Sequence, residues 1–193
     1  MQNIGLIAKQ GYKYVFVLGL LLLLALVLGV CQILFFALFA LCVFWFRNPE
    51  RALGSDDAYA MLSPIDGKIK SIDKIYYFDT QCVAITIRKG VFDAGTLRAP
   101  CDMELLEAKQ RHGLFLCNAM EASKNLNERA LFVCKNLDNK FAIRVIAGPL
   151  SKGISFENFS RLKAGRRFGF LGSGEVVLIL PANVRISVSV GEK

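Results

Sequence analysis

From Tyr14 to Phe46 the chain carries no charged residue. Nothing else in the sequence restricts the fold as strongly. As one helix, rising about 1.5 Å per residue, the block would reach about 50 Å, against roughly 30 Å of hydrocarbon in a bilayer. It is too long for one upright span and short for two full ones. Gly29-Val30-Cys31-Gln32 is the one soft point in its middle. The pattern predicts two helical arms, roughly 15–30 and 33–46, forming a hairpin or wedge in the bilayer; a single long tilted helix is the alternative. Trp45, with Tyr12 and Tyr14, falls where amphipathic rings sit at headgroup level. The block exceeds the apolar region of a cleaved signal, and no small-x-small site comes after it. Lys9 and Lys13 lie on one side, and Arg47, Arg51, Lys68 and Lys70 on the other. Positive charge at both ends fits a hairpin at the cell membrane with both ends, and the adjoining domain, in the cytoplasm. Residues 1–46 are therefore read as a membrane-anchoring segment and residues 47–193 as a separate domain.

The block runs into Phe46-Arg47-Asn48-Pro49-Glu50-Arg51, where Pro49 stops the helix. Short strand signals dominate the rest of the chain. Leu62 to Ile72, with Ser63-Pro64-Ile65-Asp66-Gly67 at its start, reads as a turn and then a strand. Val83 to Ile87 reads as another. Leu131 to Cys134 and Phe141 to Ala147, separated by a turn at Asn136 to Asn139, read as a hairpin. Val176 to Leu180 and Val184 to Val190 read as a second hairpin, turned at Pro181-Ala182-Asn183. Helical signal is scant, strongest at Ala119 to Arg129 and Ser155 to Leu162. The expectation is mostly β: a helical-hairpin anchor followed by one β-rich, sandwich- or barrel-like domain with few short helices.

The formal charge of +8 has several explanations. Beside a membrane segment, anionic headgroups are the economical one. No basic run interleaved with aromatics argues for nucleic acid. The six cysteines form no Cys-x-x-Cys pair, which excludes the usual zinc spacings and a disulfide framework. They read as reduced, small core residues. His112 is the one histidine, and no metal set, Walker loop, dinucleotide fingerprint or Gly-x-Ser-x-Gly elbow is present. The common enzyme toolkits are poorly stocked.

One stretch stands out, Arg166-Arg167-Phe168-Gly169-Phe170-Leu171-Gly172-Ser173-Gly174-Glu175, directly ahead of the apolar run to Pro181. A Gly-Ser-Gly before a strand sets a hydroxyl in a tight turn. It reads either as an ordinary turn feeding a hairpin or as a site where Ser173 attacks the carbonyl of Gly172.

Taken in order, four segments resemble the phosphatidylserine decarboxylases, especially their short, archaeal-type branch. They are the apolar block ending in Phe46 to Arg51; Ser63-Pro64-Ile65-Asp66-Gly67; Phe92-Asp93 followed by Arg98-Ala99-Pro100; and Gly172-Ser173. Asn127-Glu128-Arg129 also matches a family element. The resemblance implies a proenzyme that cuts itself between Gly172 and Ser173. It also implies a pyruvoyl group derived from Ser173, capping a small chain of residues 173–193 that stays with the large one. A pyruvoyl ketone takes the electron-sink part in decarboxylating phosphatidylserine to phosphatidylethanolamine at the membrane. On the same resemblance Asp66 is the acid tied to self-cleavage. Asp93 and Arg98 face substrate, Arg98 being suited to a phosphate. No metal is implied, and a homo-oligomer is left open. Two departures are visible. Gly95 stands where the family has a histidine, two residues after Asp93. Only Phe170-Leu171 separate Gly169 from Gly172, where family members have a longer spacer. A non-catalytic, membrane-anchored β domain of the same lineage, lipid-binding or regulatory, is the alternative reading.

Overall fold

A computed structural model describes residues 6–50, 60–117, 120, 122–137 and 139–192. Arg51, Ala119, Asp138 and Lys193, which fall within segments named above, lie outside the described residues. The chain divides into two units, Met1–Glu50 and Arg51–Lys193.

The first unit is a helical hairpin. Helix α1 spans Tyr12–Leu28 and α2 spans Gln32–Trp45. The chain reverses between them with Gly29 and Cys31 at φ 69° and 50°. The open end is closed by backbone bonds from Ala8 N to Phe46 O and from Asn48 N to Leu6 O, each 2.8 Å. Tyr14 and Phe46 stack there, 5.6 Å between ring centres. These bonds tie residues 47 and 48 to the hairpin. Both helices are apolar all round and leave Phe16, Val27 and Ile33 mostly exposed. In water that pattern has no stable partner; it belongs to a buried or lipid-facing helix. Lys9–Leu28 is long and apolar enough to cross a membrane.

The second unit is built from two antiparallel sheets. Strands β1 (Lys68–Tyr77), β2 (Thr80–Lys89), β4 (Met103–Arg111), β5 (Arg129–Asn136), β6 (Asn139–Ala147), β8 (Arg161–Leu162) and β10 (Gly174–Pro181) form the larger one. Their order is β1-β2-β10-β6-β5-β4-β8. Strands β3 (Thr96–Arg98), β9 (Arg167–Leu171) and β7 (Ile154–Phe156) form the smaller, in that order. Leu97, Ile154, Phe168 and Leu171 of the small sheet share one buried cluster with Ile85, Phe132, Ile143, Val145, Val176 and Leu178 of the large one. Phe132 meets Phe156 and Phe168 edge-on at 5.0 and 5.3 Å, the geometry aromatic pairs prefer. The mostly-β expectation holds.

Three local expectations are corrected. Val184 to Val190 alternates but is not a strand. Both edges of β10 are already taken, by β2 and β6, so no ladder is left for it there. The segment instead lays Val184 and Ile186 on the core and is tied to β1 by Gly191 N to Ile69 O and Ile69 N to Glu192 O. Ser155 to Leu162 is not helical. Ser155 pairs with Phe170 across β7 and β9, and sheet pairing overrides a weak helix propensity. Among the described residues of the Ala119 to Arg129 stretch only α3, Ser123–Leu126, is a helix, and Arg129 already belongs to β5. The cysteines are free, but only Cys82, Cys101 and Cys134 are buried; Cys31 and Cys117 are exposed.

Candidate active site

Ser173 sits one residue before β10, the third strand in the order of the large sheet, and is only 5% exposed. The register explains its neighbours. Gly174 stands opposite Lys89, the last residue of β2, and opposite Ala147, the last of β6. Residue 173 thus emerges between two strand ends. Gly148 N donates to Ser173 O at 2.8 Å. The next turn, closed by Ser151 N to Gly148 O, brings Leu150 N to Ser173 Oγ at 3.0 Å. On the other side Lys89 Nζ donates to the carbonyl oxygen of Gly172 at 2.8 Å and to Gly90 O at 3.0 Å. Lys89 is itself 5% exposed. The two groups that a serine–glycine acyl shift would join, the Ser173 hydroxyl and the Gly172 carbonyl, are each held by a separate donor.

Gly174 has φ 145°, and a Cβ there would collide with Ile146 O. Only glycine suits this position, so the residue after the serine is fixed by the central ladder.

The other sequence-predicted residues gather at the same end of the sheet. Asp66 lies in the half-buried turn before β1. Lys68 is in register with Arg88, and Gly67 packs onto Arg88 O. Asp66 is therefore separated from Ser173 by the end of β2. The bond fixing the Ser173 hydroxyl comes from Leu150. Asp93 Oδ2 accepts from Gly90 N at 2.8 Å, closing the turn after β2. Arg98 N donates to Pro64 O at 2.9 Å, which joins the Asp66 turn to β3, while Arg98 Nη1 donates to Gly165 O. His112 is exposed on its side chain and stands 3.9 Å from Glu128 Oε1.

Gly95 accounts for the missing histidine. Its carbonyl accepts from Leu171 N at 2.8 Å. A Cβ at this position would collide with Leu171 O and lie 2.8 Å from the Phe170 ring. The two residues of the shortened spacer occupy the space that a side chain at 95 would need.

Sequence reasoning missed Lys89 and Glu175, and it named Glu128 only as part of the Asn127-Glu128-Arg129 element, without a role. Glu128 Oε1 accepts from Gln110 Nε2 at 2.9 Å and Ile154 N at 3.1 Å. Asn127 Nδ2 donates to Ala147 O at 2.8 Å. Together they brace both ends of the segment that carries Leu150. Glu175 is buried and paired with Lys70 at 2.8 Å and Arg88 at 3.1 Å. A charged residue ending or opening an apolar strand run, as Lys89 and Glu175 do, was the available signal. A cavity of about 880 Å³ runs along the large sheet, past Ile85, Ile87, Leu178 and Leu180, from Ser63 and Gly67 to Asn136, Asn139 and Pro181 at the end away from Ser173; neither Lys89 nor Ser173 lines it.

Comparison with known proteins identifies the family. The phosphatidylserine decarboxylase family model matches residues 38–193. A relative named phosphatidylserine decarboxylase proenzyme from Syntrophotalea carbinolica is 29% identical over 196 residues, covering 97% of this chain and 91% of the relative. Proteins of the same name from Carboxydothermus hydrogenoformans and Aromatoleum aromaticum are each 30% identical, covering 96% and 97% of this chain and 90% and 91% of theirs. With a β domain of this organisation and a match over most of its length, the chain belongs to the phosphatidylserine decarboxylase family.

Proposed function

We propose that this protein is a membrane-bound proenzyme that cleaves itself between Gly172 and Ser173 and then decarboxylates phosphatidylserine to phosphatidylethanolamine. The observation that carries the reading is the paired restraint at the scissile link: Leu150 N on Ser173 Oγ and Lys89 Nζ on Gly172 O. Holding nucleophile and electrophile in one geometry removes a large part of the barrier to an intramolecular reaction.

The surroundings of residue 173 fit a pyruvoyl group made from it. The residue is buried, and its carbonyl is held by Gly148 N, a bond that does not depend on the Gly172 link. The small chain remains tied by the β10 ladders to β2 and β6. Once formed, the group supplies a ketone that withdraws the electrons released as carbon dioxide departs. The chain's own residues do the rest. The resemblance assigns Asp66 the proton taken from Ser173, a transfer that has to cross the end of β2. Arg98, with five donors in a planar fork, is assigned the lipid phosphate, and Asp93 the substrate's polar head. The apolar hairpin supports anchoring at the membrane, with the β domain on the cytoplasmic side.

One observation favours a second reading, a non-catalytic lipid-binding domain: Gly95 leaves no room for the family histidine. Turnover separates the two. Purified in detergent and given phosphatidylserine in mixed micelles, the wild-type chain should release carbon dioxide and the Ser173→Ala variant should not. Equal, background release from both would leave only the second reading.

A further inference from the structure

We propose that Lys89 is a catalytic residue of the self-cleavage, holding the negative charge that develops on the Gly172 carbonyl oxygen. The inference rests on the reading that the chain cuts itself at Gly172-Ser173, and it gives a role to a group that no sequence motif marks.

Three observations meet at this side chain. Lys89 is buried to 5% exposure at the end of β2, where placing an amino group is costly without a defined partner. Its Nζ lies 2.8 Å from Gly172 O, with a second bond at 3.0 Å to Gly90 O that fixes its direction. The register of Gly174 against Lys89 delivers that geometry from the central ladder rather than from a loop. A donor at this distance from the oxygen that becomes charged is the arrangement of an oxyanion hole. A lysine carries donors only, so carbonyl oxygens are the partners it suits. With Gly95 closed off by Leu171 and Phe170, no side chain at that position can serve the same carbonyl.

The step is an N-to-O acyl shift. Ser173 Oγ forms a bond to the Gly172 carbonyl carbon, and the carbonyl electron pair moves onto Gly172 O beside Lys89 Nζ. When that pair returns, the bond from the Gly172 carbon to Ser173 N breaks. The proton lost from Oγ ends on Ser173 N. The product is an ester from Gly172 to Ser173 Oγ with a free amine on residue 173. Nothing is oxidised or reduced, and no co-reactant is consumed.

The test compares wild type, Lys89→Met and Lys89→Arg, freshly expressed in membranes, by intact mass over time. The fold is checked by the thermal transition in detergent. Removing one oxyanion donor typically slows the step by about 10²–10³-fold, so Lys89→Met should stay intact while wild type yields fragments 1–172 and 173–193. Lys89→Arg keeps a donor and should cleave at an intermediate rate. Hydroxylamine, which cuts esters, gives a second readout. It should release no fragment from Lys89→Met, because the ester has not formed. Cleavage of Lys89→Met at the wild-type rate, or its release by hydroxylamine, overturns the role of Lys89 and leaves the proenzyme reading standing. Should Lys89→Met not fold, Lys89→Gln is read in the same two assays with the same criteria. An intact wild-type chain overturns the proenzyme reading and the role of Lys89 together.

Discussion

The carbonyl oxygen of Gly95 and the amide of Leu171 are joined by a 2.8 Å hydrogen bond, and the return contact from Leu171 O leaves no volume for a side chain at 95. Restoring the family histidine by Gly95→His should therefore fail. The substitution should destabilise the β domain by at least about 1–3 kcal/mol, the usual range for an overpacked core. A backbone oxygen, unlike a rotamer, cannot swing aside. Urea denaturation of the two proteins measures this. A Gly95→His protein as stable as wild type and faster in turnover would show that the space exists.

The segment carrying Leu150 is anchored by Glu128, whose Oε1 accepts from Gln110 and Ile154. Glu128→Ala leaves Ile154 N buried without that acceptor. A loss of about 1–3 kcal/mol is expected from one orphaned buried donor. Because Leu150 N orients Ser173, self-cleavage should slow as well. Denaturant midpoints and the intact-to-cleaved ratio report the two effects separately.

Burial pushes the Cys101 thiol up to about 11 and the Cys134 thiol up to about 12 from an ordinary 9.0. For Cys101 a bond from Asn136 opposes the shift; for Cys134 the neighbouring Cys101 adds to it. A folded-state value above the unfolded one means the stabilisation is complete below pH 9.0. It is lost as pH rises through about 11 to 12. Wild type should thus lose more stability between pH 8 and pH 10.5 than Cys101→Ala/Cys134→Ala does. Urea midpoints of both proteins at the two pH values test the sign.

Leu20 lies mid-way along α1 and is mostly exposed. An arginine there costs about 2.5–3.5 kcal/mol if the helix is embedded in lipid. Leu20→Arg should shift the protein from the carbonate-washed membrane pellet toward the soluble or aggregated fraction. Unchanged fractionation would argue that the hairpin does not enter the bilayer.

Much of the fold was legible because its signals were local. The β5–β6 hairpin shows two short apolar runs around a polar turn, and the hairpin break at Gly29 to Gln32 interrupts an otherwise uniform apolar run. Where the reading failed, the deciding fact was a partner. Val184 to Val190 has strand periodicity, but β10 has no free edge to offer it. Ser155 to Leu162 has helical composition, but its Ser155 is claimed by Phe170. The site divides in the same way. Ser173, Asp66, Asp93 and Arg98 stand out because of their sequence neighbours. Lys89 meets Gly172 across 83 residues of chain, and no local pattern carries that pairing.

The central claim is that the link between Gly172 and Ser173 breaks from within. Intact mass of protein purified under denaturing conditions tests it most directly, with Ser173→Ala beside it. The account predicts that wild type separates into residues 1–172 and a 173–193 fragment blocked at its N-terminus, while Ser173→Ala remains one chain. A wild-type protein of undivided mass, with an unaltered serine at 173, would contradict it.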